Sequence, residues 1–475
     1  MTISPKRLPC LLCMVLLASC AGLRSPDVDI ASPELPIGFA YLQAEGGEAP
    51  SPQWWDNFNS EQLSLLVQEA LENNLELKSG VERILQARAS VRSSSAPLLP
   101  KVTARQSTVL REAQGGGSFV DDSGQVVESG GGGFRESSTA FVGASYQLDL
   151  FGESRAASKG ARSRLEEQFF NQRALELSIQ SDVASYYFRD LALQERLAAA
   201  REQVEAAERL MQIVQHKFDA GAISGLELSQ ERSALAQARI GVVSLADELD
   251  RNRNALAILL GRFPEELTRV EGDFGSIEVP EIAVGIPADL LLRRPDLLAA
   301  EASLFAADAD IDKARAQFFP SIGINLGIDF TNVLSELLGN MTRSISSTVS
   351  QTIFSGGELE GDYDQAQARY RELVYDYQQA IYVAVGEVDD ALVSLRAAND
   401  EVVQQELIES EADYTLRLSE VRYEAGDAEL STLIEAQNSR LDASDSLVRA
   451  RLAQLDAAIS LFVAIGGGWS ENAST

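Results

Sequence analysis

The stretch that decides the fold reads "VRYEAGDAELSTLIEAQ", residues 421–437, because it repeats a pattern found 205 residues earlier as "HKFDAGAISGLELSQER", residues 216–232. Gly426 in the later stretch takes the place of Gly221 in the earlier one. A glycine at such a point suits the left-handed backbone conformation that ends many α-helices. We therefore predict that each stretch is the tip of a helical hairpin, in which one helix ends at the glycine and a second helix returns.

The residues that follow each glycine predict where the returning helices begin. Ser224 and Glu227 have the spacing of a capping box, in which two side chains satisfy free backbone N–H groups at the start of a helix. Asp427 is expected to start the returning helix of the second copy. The predicted returning helices cover residues 224–260 and 428–465.

Long helical patterns lead into both tips, over residues 153–219 and 358–424. In the second of these, apolar residues recur at alternating steps of four and three, which is the spacing of a coiled-coil seam. With a rise of about 1.5 Å per residue, each helix would be roughly 100 Å long, which is more than a compact domain needs. The pattern predicts two extended helical hairpins.

Upstream of each long helix the sequence changes to an alternating pattern. In "SIGINLGIDF", residues 321–330, Ile, Leu and Phe alternate with Ser, Gly, Asn and Asp. The alternation predicts four strands of about ten residues, paired as β-hairpins over residues 101–151 and 321–354. Such strands suit a membrane barrel that is apolar towards lipid and polar towards a lumen. Two amphipathic hairpins packed on a soluble core would fit the strands equally well.

The first β-hairpin contains two glycine runs, residues 115–117 and 130–133. Neither run is followed by the Gly-Lys-Ser/Thr sequence of a phosphate-binding loop. We therefore predict that the glycine-rich insert is a long flexible loop between two strands.

Proline positions and the repeated patterns together divide the chain into segments. Arg293 and Arg294 precede Pro295, at which the second repeat begins; they are expected either to contact a neighbouring protomer or to pair with nearby acids. The predicted segments are a signal peptide (1–19), an extended N-terminal segment (20–55), a first repeat (56–262), a connector (263–294), a second repeat (295–466) and a tail (467–475).

Composition excludes several classes of function. The net charge of −31 argues against nucleic acid as a partner, because phosphate binding depends on Lys and Arg. His216 is the only histidine, and all three cysteines fall within the first 20 residues. Histidine-based catalysis and cysteine-based metal sites are therefore not expected, and the chain is predicted to be neither an enzyme nor a metal protein.

The first 20 residues have the layout of a secretory signal, with Lys6 and Arg7 before a short apolar run. The "LASC" sequence that ends at Cys20 resembles the lipobox of bacterial lipoproteins. Such a cysteine carries several fatty acyl chains, which together anchor a protein stably to a membrane. Cys20 is the predicted lipid attachment site, and no other cofactor is expected. Because Ala21 rather than Asp follows, the outer membrane is the expected location.

Four strands cannot close a barrel on their own, since bacterial barrels begin at about eight strands. Open strand edges are not tolerated in lipid, so the chain is expected to oligomerise. A dimer would give eight strands and an interior filled by side chains, whereas a trimer would give 12 strands and room for a channel.

The fragments "WWDNFNSEQLSLLVQEALENN", "LDLFGESR", "RRPD", "IFSGGELEG" and the closing "GGGW", together with the two tips, are specific in their order and spacing. On these the chain resembles the TolC/OprM-type outer-membrane efflux lipoproteins, the outer membrane factor family with its NodT-like RND efflux subunits. The resemblance implies an α+β membrane protein whose homotrimer forms a 12-strand outer-membrane β-barrel continued by a 12-helix periplasmic α-barrel. It also implies passive conduction of substrate delivered by an inner-membrane pump, of the RND type, through a periplasmic adaptor protein.

The resemblance further implies roles for residues at the tips. The adaptor is expected to meet the tips at Gly221, Ser224, Gly426 and Asp427. Acidic side chains of the second hairpin are expected to ring a constriction that shuts the channel.

The positions that match this constriction are Thr432 and Glu435, and Glu227 lies one turn before Gln230, the first-repeat equivalent of Glu435. Glu435 could also be one of many acids on a solvated helix face. The alternative functions are the exit duct of a type I secretion system and a structural trimeric lipoprotein that conducts nothing.

Overall fold

The two repeats of the sequence do not form two separate bodies. In a computed structural model, the described residues are 35–41, 51–112, 118–120, 125–128, 134–267, 269–331 and 341–468. They fall into two compact units, each with a part of both repeats. The described residues of 85–166 and 302–374 belong to the first unit, and those of 31–84, 167–301 and 375–475 belong to the second.

Seven helices and six strands make up most of the described residues. The helices are α1 (Glu61–Asn73), α2 (Leu75–Ser95), α3 (Glu153–Asp219), α4 (Gly225–Leu259), α5 (Pro295–Ala316), α6 (Glu358–Glu424) and α7 (Leu430–Ala464). The strands are β1 (Lys101–Glu112), β2 (Ser118–Val120), β3 (Val126–Glu128), β4 (Phe134–Leu148), β5 (Ser321–Thr331) and β6 (Met341–Ser350). Shorter helical turns occur at Trp54–Phe58, Ala96–Leu98, Pro264–Glu266, Phe274–Ser276, Pro287–Asp289 and Leu290–Arg293.

The two long helices run over the residues that the sequence predicts, 153–219 for α3 and 358–424 for α6. The returning helices α4 and α7 begin and end within two residues of their predicted bounds. No helix of the described residues is both long enough and apolar enough to cross a membrane.

A four-stranded antiparallel sheet, in the order β1-β4-β5-β6, lies in the first unit. The pairs β1–β4 and β5–β6 are the two predicted hairpins, and the central pair β4–β5 joins the first repeat to the second. On one face, here called the apolar face, Val142, Ala144 and Tyr146 of β4 lie opposite Ile328, Leu326 and Ile324 of β5. On the other, the polar face, Gly143, Ser145 and Gln147 lie opposite Gly327, Asn325 and Gly323.

The glycine-rich insert contains regular structure, which corrects the prediction of a flexible loop. Within its described residues, β2 pairs with β3 as a second, two-stranded sheet. The sequences "SFV" and "VVE" are rich in the β-branched and aromatic residues that favour strands.

The main core lies in the second unit. Trp54 is fully buried, its ring centre lies 5.2 Å from that of Phe462 in α7, and its indole N–H donates to Gln180 of α3. Phe58 and Phe188 pack beside them, with ring centres 5.0 Å apart. Trp54 thus belongs to a folded helical turn, although it lies within the segment 20–55 that was predicted to be extended.

Candidate functional site at the hairpin tips

The first tip has the backbone that its glycine predicts. Gly221 has a φ of 72°, and its N–H donates to the carbonyl of Phe218 at 2.8 Å. The next N–H, of Ala222, reaches back to the carbonyl of Lys217 at 2.9 Å. These two bonds form a Schellman motif, which satisfies the last carbonyls of α3 and lets the chain reverse.

The second tip repeats this geometry. Gly426 has a φ of 81°, its N–H donates to the carbonyl of Tyr423 at 3.1 Å, and the N–H of Asp427 donates to the carbonyl of Arg422 at 2.8 Å. The residue after the glycine therefore completes the end of α6.

The start of α4 has one half of the predicted capping box, because Glu227 accepts from the backbone N–H of Ser224 whereas the Ser224 side chain accepts from no backbone N–H of the described residues. The backbone N–H of Ser224 donates to the Glu227 carboxylate at 2.7 Å, and the Ser224 hydroxyl donates to the same oxygen at 3.0 Å. Glu227 is half-buried, and this oxygen is committed to the cap. The role of Glu227 in the constriction stays a prediction, and this oxygen could take part only if its bond to Ser224 broke.

The start of α7 differs from its prediction. The residue before α7 is Glu429, which has extended backbone angles, and α7 begins at Leu430. Glu429 stands 205 residues after Ser224, so the two caps are equivalent. The expectation that Asp427 starts the helix is wrong, because Asp427 completes the end of α6 and the N-cap position of α7 comes two residues later, at Glu429.

The two tips pack on each other through a small apolar cluster. It contains Leu210 and Val214 of α3, Leu228 of α4, and Leu430 and Leu433 of α7.

A polar contact also joins the tips. The Lys217 ammonium lies 4.4 Å from the centre of the Tyr423 ring and 3.4 Å from its hydroxyl oxygen. A cation over an aromatic ring is attracted to the electron-rich ring face. The tips of both repeats are therefore held together by apolar packing and by one charged contact.

The predicted constriction residues lie on the outer side of this packing. Thr432 and Glu435 are both exposed on α7. Glu435 lines a groove of about 370 Å³ whose opposite wall includes Gln230 of α4. The structure therefore brings Glu435 and its first-repeat equivalent to one groove and keeps the Glu435 carboxylate at the surface.

Glu231 is a notable residue that the sequence reasoning missed. It lies one turn after Leu228 on α4, and only 1% of its surface is exposed. Within the part of the chain that the structure describes, neither carboxylate oxygen has a hydrogen-bond partner. Burial in these surroundings raises the pKa of Glu231 to about 7. The sequence signals for it were its spacing of three from Leu228 and the small apolar residue, Ala436, at the equivalent position of the second repeat.

Arg294, the second of the two arginines before the second repeat, has a structural role. Arg294 is buried and bonds the carboxylates of Asp296 at 2.7 Å and Glu387 at 2.6 Å. Its guanidinium also donates to the carbonyl of Ala464 at 3.1 Å. The predicted pairing with nearby acids is confirmed for Arg294.

Two of the remaining expectations concern ligands and lipid. In the described ranges, no group of three or more His, Cys, Asp or Glu side chains is placed to hold a metal ion. Cys20, the predicted lipid attachment site, lies outside the described residues.

Comparison with known proteins gives consistent matches along the chain. The family model of the outer membrane efflux proteins matches residues 66–262 and 286–467. The pyoverdine export outer membrane protein OpmQ of Pseudomonas aeruginosa is 32% identical, over 99% of this chain and 98% of that protein. The toluene efflux pump outer membrane protein TtgC of Pseudomonas putida is 28% identical, over 94% of this chain and 92% of that protein.

The fold has counterparts among solved structures. The open state of the MtrE outer membrane channel of Neisseria gonorrhoeae matches with a TM-score of 0.81 and 25% identity, over 93% of this chain and 97% of that one.

Proposed function

We propose, from the premise that the chain belongs to the family of outer membrane efflux proteins, that three copies form a closed channel with a gate at the hairpin tips. As a member of this family, the chain is an outer-membrane channel subunit of an efflux system, and its role is transport rather than catalysis. The proposal concerns its assembly, its gate and its partners.

The main support for a trimer is that both edges of the four-stranded sheet are open. Among the described strands, β1 pairs only with β4, and β6 pairs only with β5. The outer backbone groups of both edge strands need partners if the sheet lies in a membrane. Three copies of four strands give 12, which is enough for a barrel with an open lumen.

The apolar face supports a position in lipid. Val102 of β1 and Ile345 and Val349 of β6 are exposed on this face. Exposed apolar side chains in a row on one sheet face suit contact with acyl chains. We therefore place the sheet in the outer membrane with its polar face towards the lumen.

The part of α6 in the second unit also has a row of exposed apolar side chains. Its exposed apolar side chains recur mostly at steps of three, four or seven, as in a helix that packs against another helix: Val403, Leu407, Tyr414, Leu418 and Val421. Helices of neighbouring copies would cover this stripe and continue the channel wall into the periplasm.

The tips are the proposed contact for a periplasmic adaptor protein, itself joined to an inner-membrane pump of the RND type. Gly221, Ser224, Gly426 and Asp427 are all exposed. A Cβ atom added at Gly221 or Gly426 would meet nothing within 4 Å, so the surface above both turns is open. A lipid on Cys20 would anchor each copy to the outer membrane as well.

The gate is proposed at Glu435, with Thr432 one turn before it. Three exposed carboxylates around a narrow axis would repel each other and attract cations. Glu227 is assigned a smaller part in this gate, because its carboxylate is already bonded at the start of α4.

Single-channel recording tests both parts of the proposal. Full-length protein is purified in detergent, inserted into planar bilayers, and compared with Glu435→Ala and with the control Gln230→Ala from the same groove. We expect currents from the wild-type protein, larger currents from Glu435→Ala, and no increase from Gln230→Ala. Equal currents from all three would reject the gate alone. Silence of all three would reject the channel and favour a structural lipoprotein.

A further inference from the structure

One aromatic side chain interrupts the polar face of the sheet. Phe141 of β4 lies on this face, because the register places it in the same row as Gly143, Ser145 and Gln147. It is the only aromatic side chain of that face among its described residues. The other aromatic residues of the two central strands, Tyr146 and Phe330 among them, belong to the apolar face.

The ring of Phe141 has a seat made by two glycines. Gly143 of β4 pairs directly with Gly327 of β5. A Cβ atom at Gly143 would lie 2.3 Å from Cζ of Phe141, and one at Gly327 would lie 2.7 Å from Cε2. Any larger residue at either position would therefore displace the ring. The ring packs over the glycine backbones, and its half-buried state leaves part of it facing away from the sheet.

Covering glycine backbone with an aromatic ring is known to stabilise strand pairing. Gly143 and Gly327 belong to the polar face, so the ring that covers them has to lie on that face as well. The proposed function assigns this face to the lumen, where the exposed part of the ring would meet a solute.

Charged side chains lie on both sides of the ring. Arg105 of β1 and Asp329 of β5 are the residues directly opposite Phe141 on the two neighbouring strands. Directly opposed residues have their Cβ atoms about 5 Å apart. Within the described residues, neither Arg105 nor Asp329 takes part in a salt bridge. A cation, a ring face and a carboxylate thus follow one another across three strands.

We propose that Phe141, Arg105 and Asp329 form a contact site in the channel lumen for planar aromatic solutes that carry both a positive and a negative charge. The solute ring would stack on Phe141, its cationic group would approach Asp329, and its carboxylate would approach Arg105. The proposal rests on the proposed function, because that function places the polar face in the lumen. In a trimer the site occurs three times at one level of the barrel.

The test measures how strongly a zwitterion reduces the channel current. Tryptophan is the probe and leucine is its matched control, because both are zwitterions and only tryptophan carries a planar aromatic ring. In the wild-type channel, tryptophan is expected to reduce the current at lower concentration than leucine. Phe141→Leu is expected to weaken the effect of tryptophan about fivefold, as for the loss of one aromatic pair, and to leave the effect of leucine unchanged.

Two further variants separate contact with the solute from support of the sheet. Phe141→Tyr keeps a ring on the two glycines and is expected to retain the preference for tryptophan. Asp329→Asn leaves the ring in place and is expected to weaken the effect of tryptophan, which keeps the proposal testable if Phe141→Leu does not assemble.

Three results would overturn the site. An open channel in which neither Phe141→Leu nor Asp329→Asn changes the effect of tryptophan would reject the site and leave the proposed channel intact. Equal effects of tryptophan and leucine on the wild-type channel would reject it as well. A silent wild-type protein would reject the channel and the site together.

Discussion

Replacing Glu231 by glutamine should remove a pH dependence from the stability of the first hairpin tip. Glu231 is buried in α4, and no described residue donates a hydrogen bond to its carboxylate. Burial penalises the charged form, so the folded tip binds the Glu231 proton more tightly than the unfolded chain does. The pKa rises from 4.5 in the unfolded chain to about 7 in the folded protein.

The sign and the size of the effect follow from this difference. Well below pH 4.5 the raised pKa of Glu231 does not change the free energy of unfolding, because the carboxyl is protonated in both states. Between pH 4.5 and pH 7 the free energy of unfolding falls, and above pH 7 the loss is complete. With about 1.4 kcal/mol for each pKa unit, the full cost is about 3 kcal/mol. Between about pH 5 and about pH 8, the wild-type tip should lose about 2.5 kcal/mol. The amide in Glu231→Gln stays neutral, so the variant should lose none of this.

Hydrogen exchange measured by mass spectrometry can follow the tip by itself, because local opening need not unfold the rest of the protein. Peptides that cover residues 205–235 would be followed from about pH 5 to about pH 8, with correction for the intrinsic pH dependence of exchange. Glu420→Gln is the control, since Glu420 is an exposed glutamate near the end of α6. We expect protection of the wild type and of Glu420→Gln to fall with pH, and that of Glu231→Gln to stay level.

Parallel profiles of the wild type and Glu231→Gln would refute the reasoning. They would show that the Glu231 carboxylate is solvated or paired in the assembled protein. A fall of protection towards low pH in the wild type would refute it as well, because a raised carboxyl pKa gives the opposite sign.

Two further predictions concern backbone and charge, and both are checked by thermal unfolding of the purified protein. Gly221→Ala should lower the free energy of unfolding by about 1 kcal/mol, since only the left-handed backbone at this position opposes a side chain. Gly466→Ala should lower it by several times more, because the added Cβ atom would also lie 2.4 Å from the carbonyl oxygen of Arg293. Arg294→Lys should cost about 2 kcal/mol, because a single ammonium cannot replace the two-point bond to Asp296 together with the bonds to Glu387 and the Ala464 carbonyl. An unchanged melting temperature would contradict this role.

The sequence predicted the long helices and their ends best, for a local reason. A long helical pattern that stops at a glycine predicts both the helix and the residue at which it ends. In the structure, Gly221 and Gly426 form Schellman motifs within three residues of the ends of α3 and α6. The family and the transport function were predicted from motifs spread along the chain, and the family match over residues 66–262 and 286–467 confirms them. The predicted fold class, an internally duplicated α+β membrane protein, is confirmed as well.

Other features depend on contacts between distant residues, and sequence patterns do not carry these. The pairing of β4 with β5 joins strands from the two repeats, so the compact units cut across the repeats. Trp54, at the end of the segment predicted to be extended, packs on Phe462 of α7, a partner that the sequence alone does not identify. The spacing of three from Leu228 places Glu231 beside the packed side of α4, but its complete burial depends on residues of other helices, which the sequence does not show.

The equivalent positions of the two tips show how the repeats have diverged. Glu227 and Glu231 of the first tip are replaced by Thr432 and Ala436 in the second, whereas Glu435 of the second replaces a glutamine in the first.

Of the two glutamates that only the first tip has, Glu227 is used in a cap and Glu231 is in a buried position that becomes costly as pH rises. Glu435 of the second tip lies at the surface of α7. Repulsion between copies can act only on charges that reach the axis, so a gate driven by such repulsion would move the second hairpin.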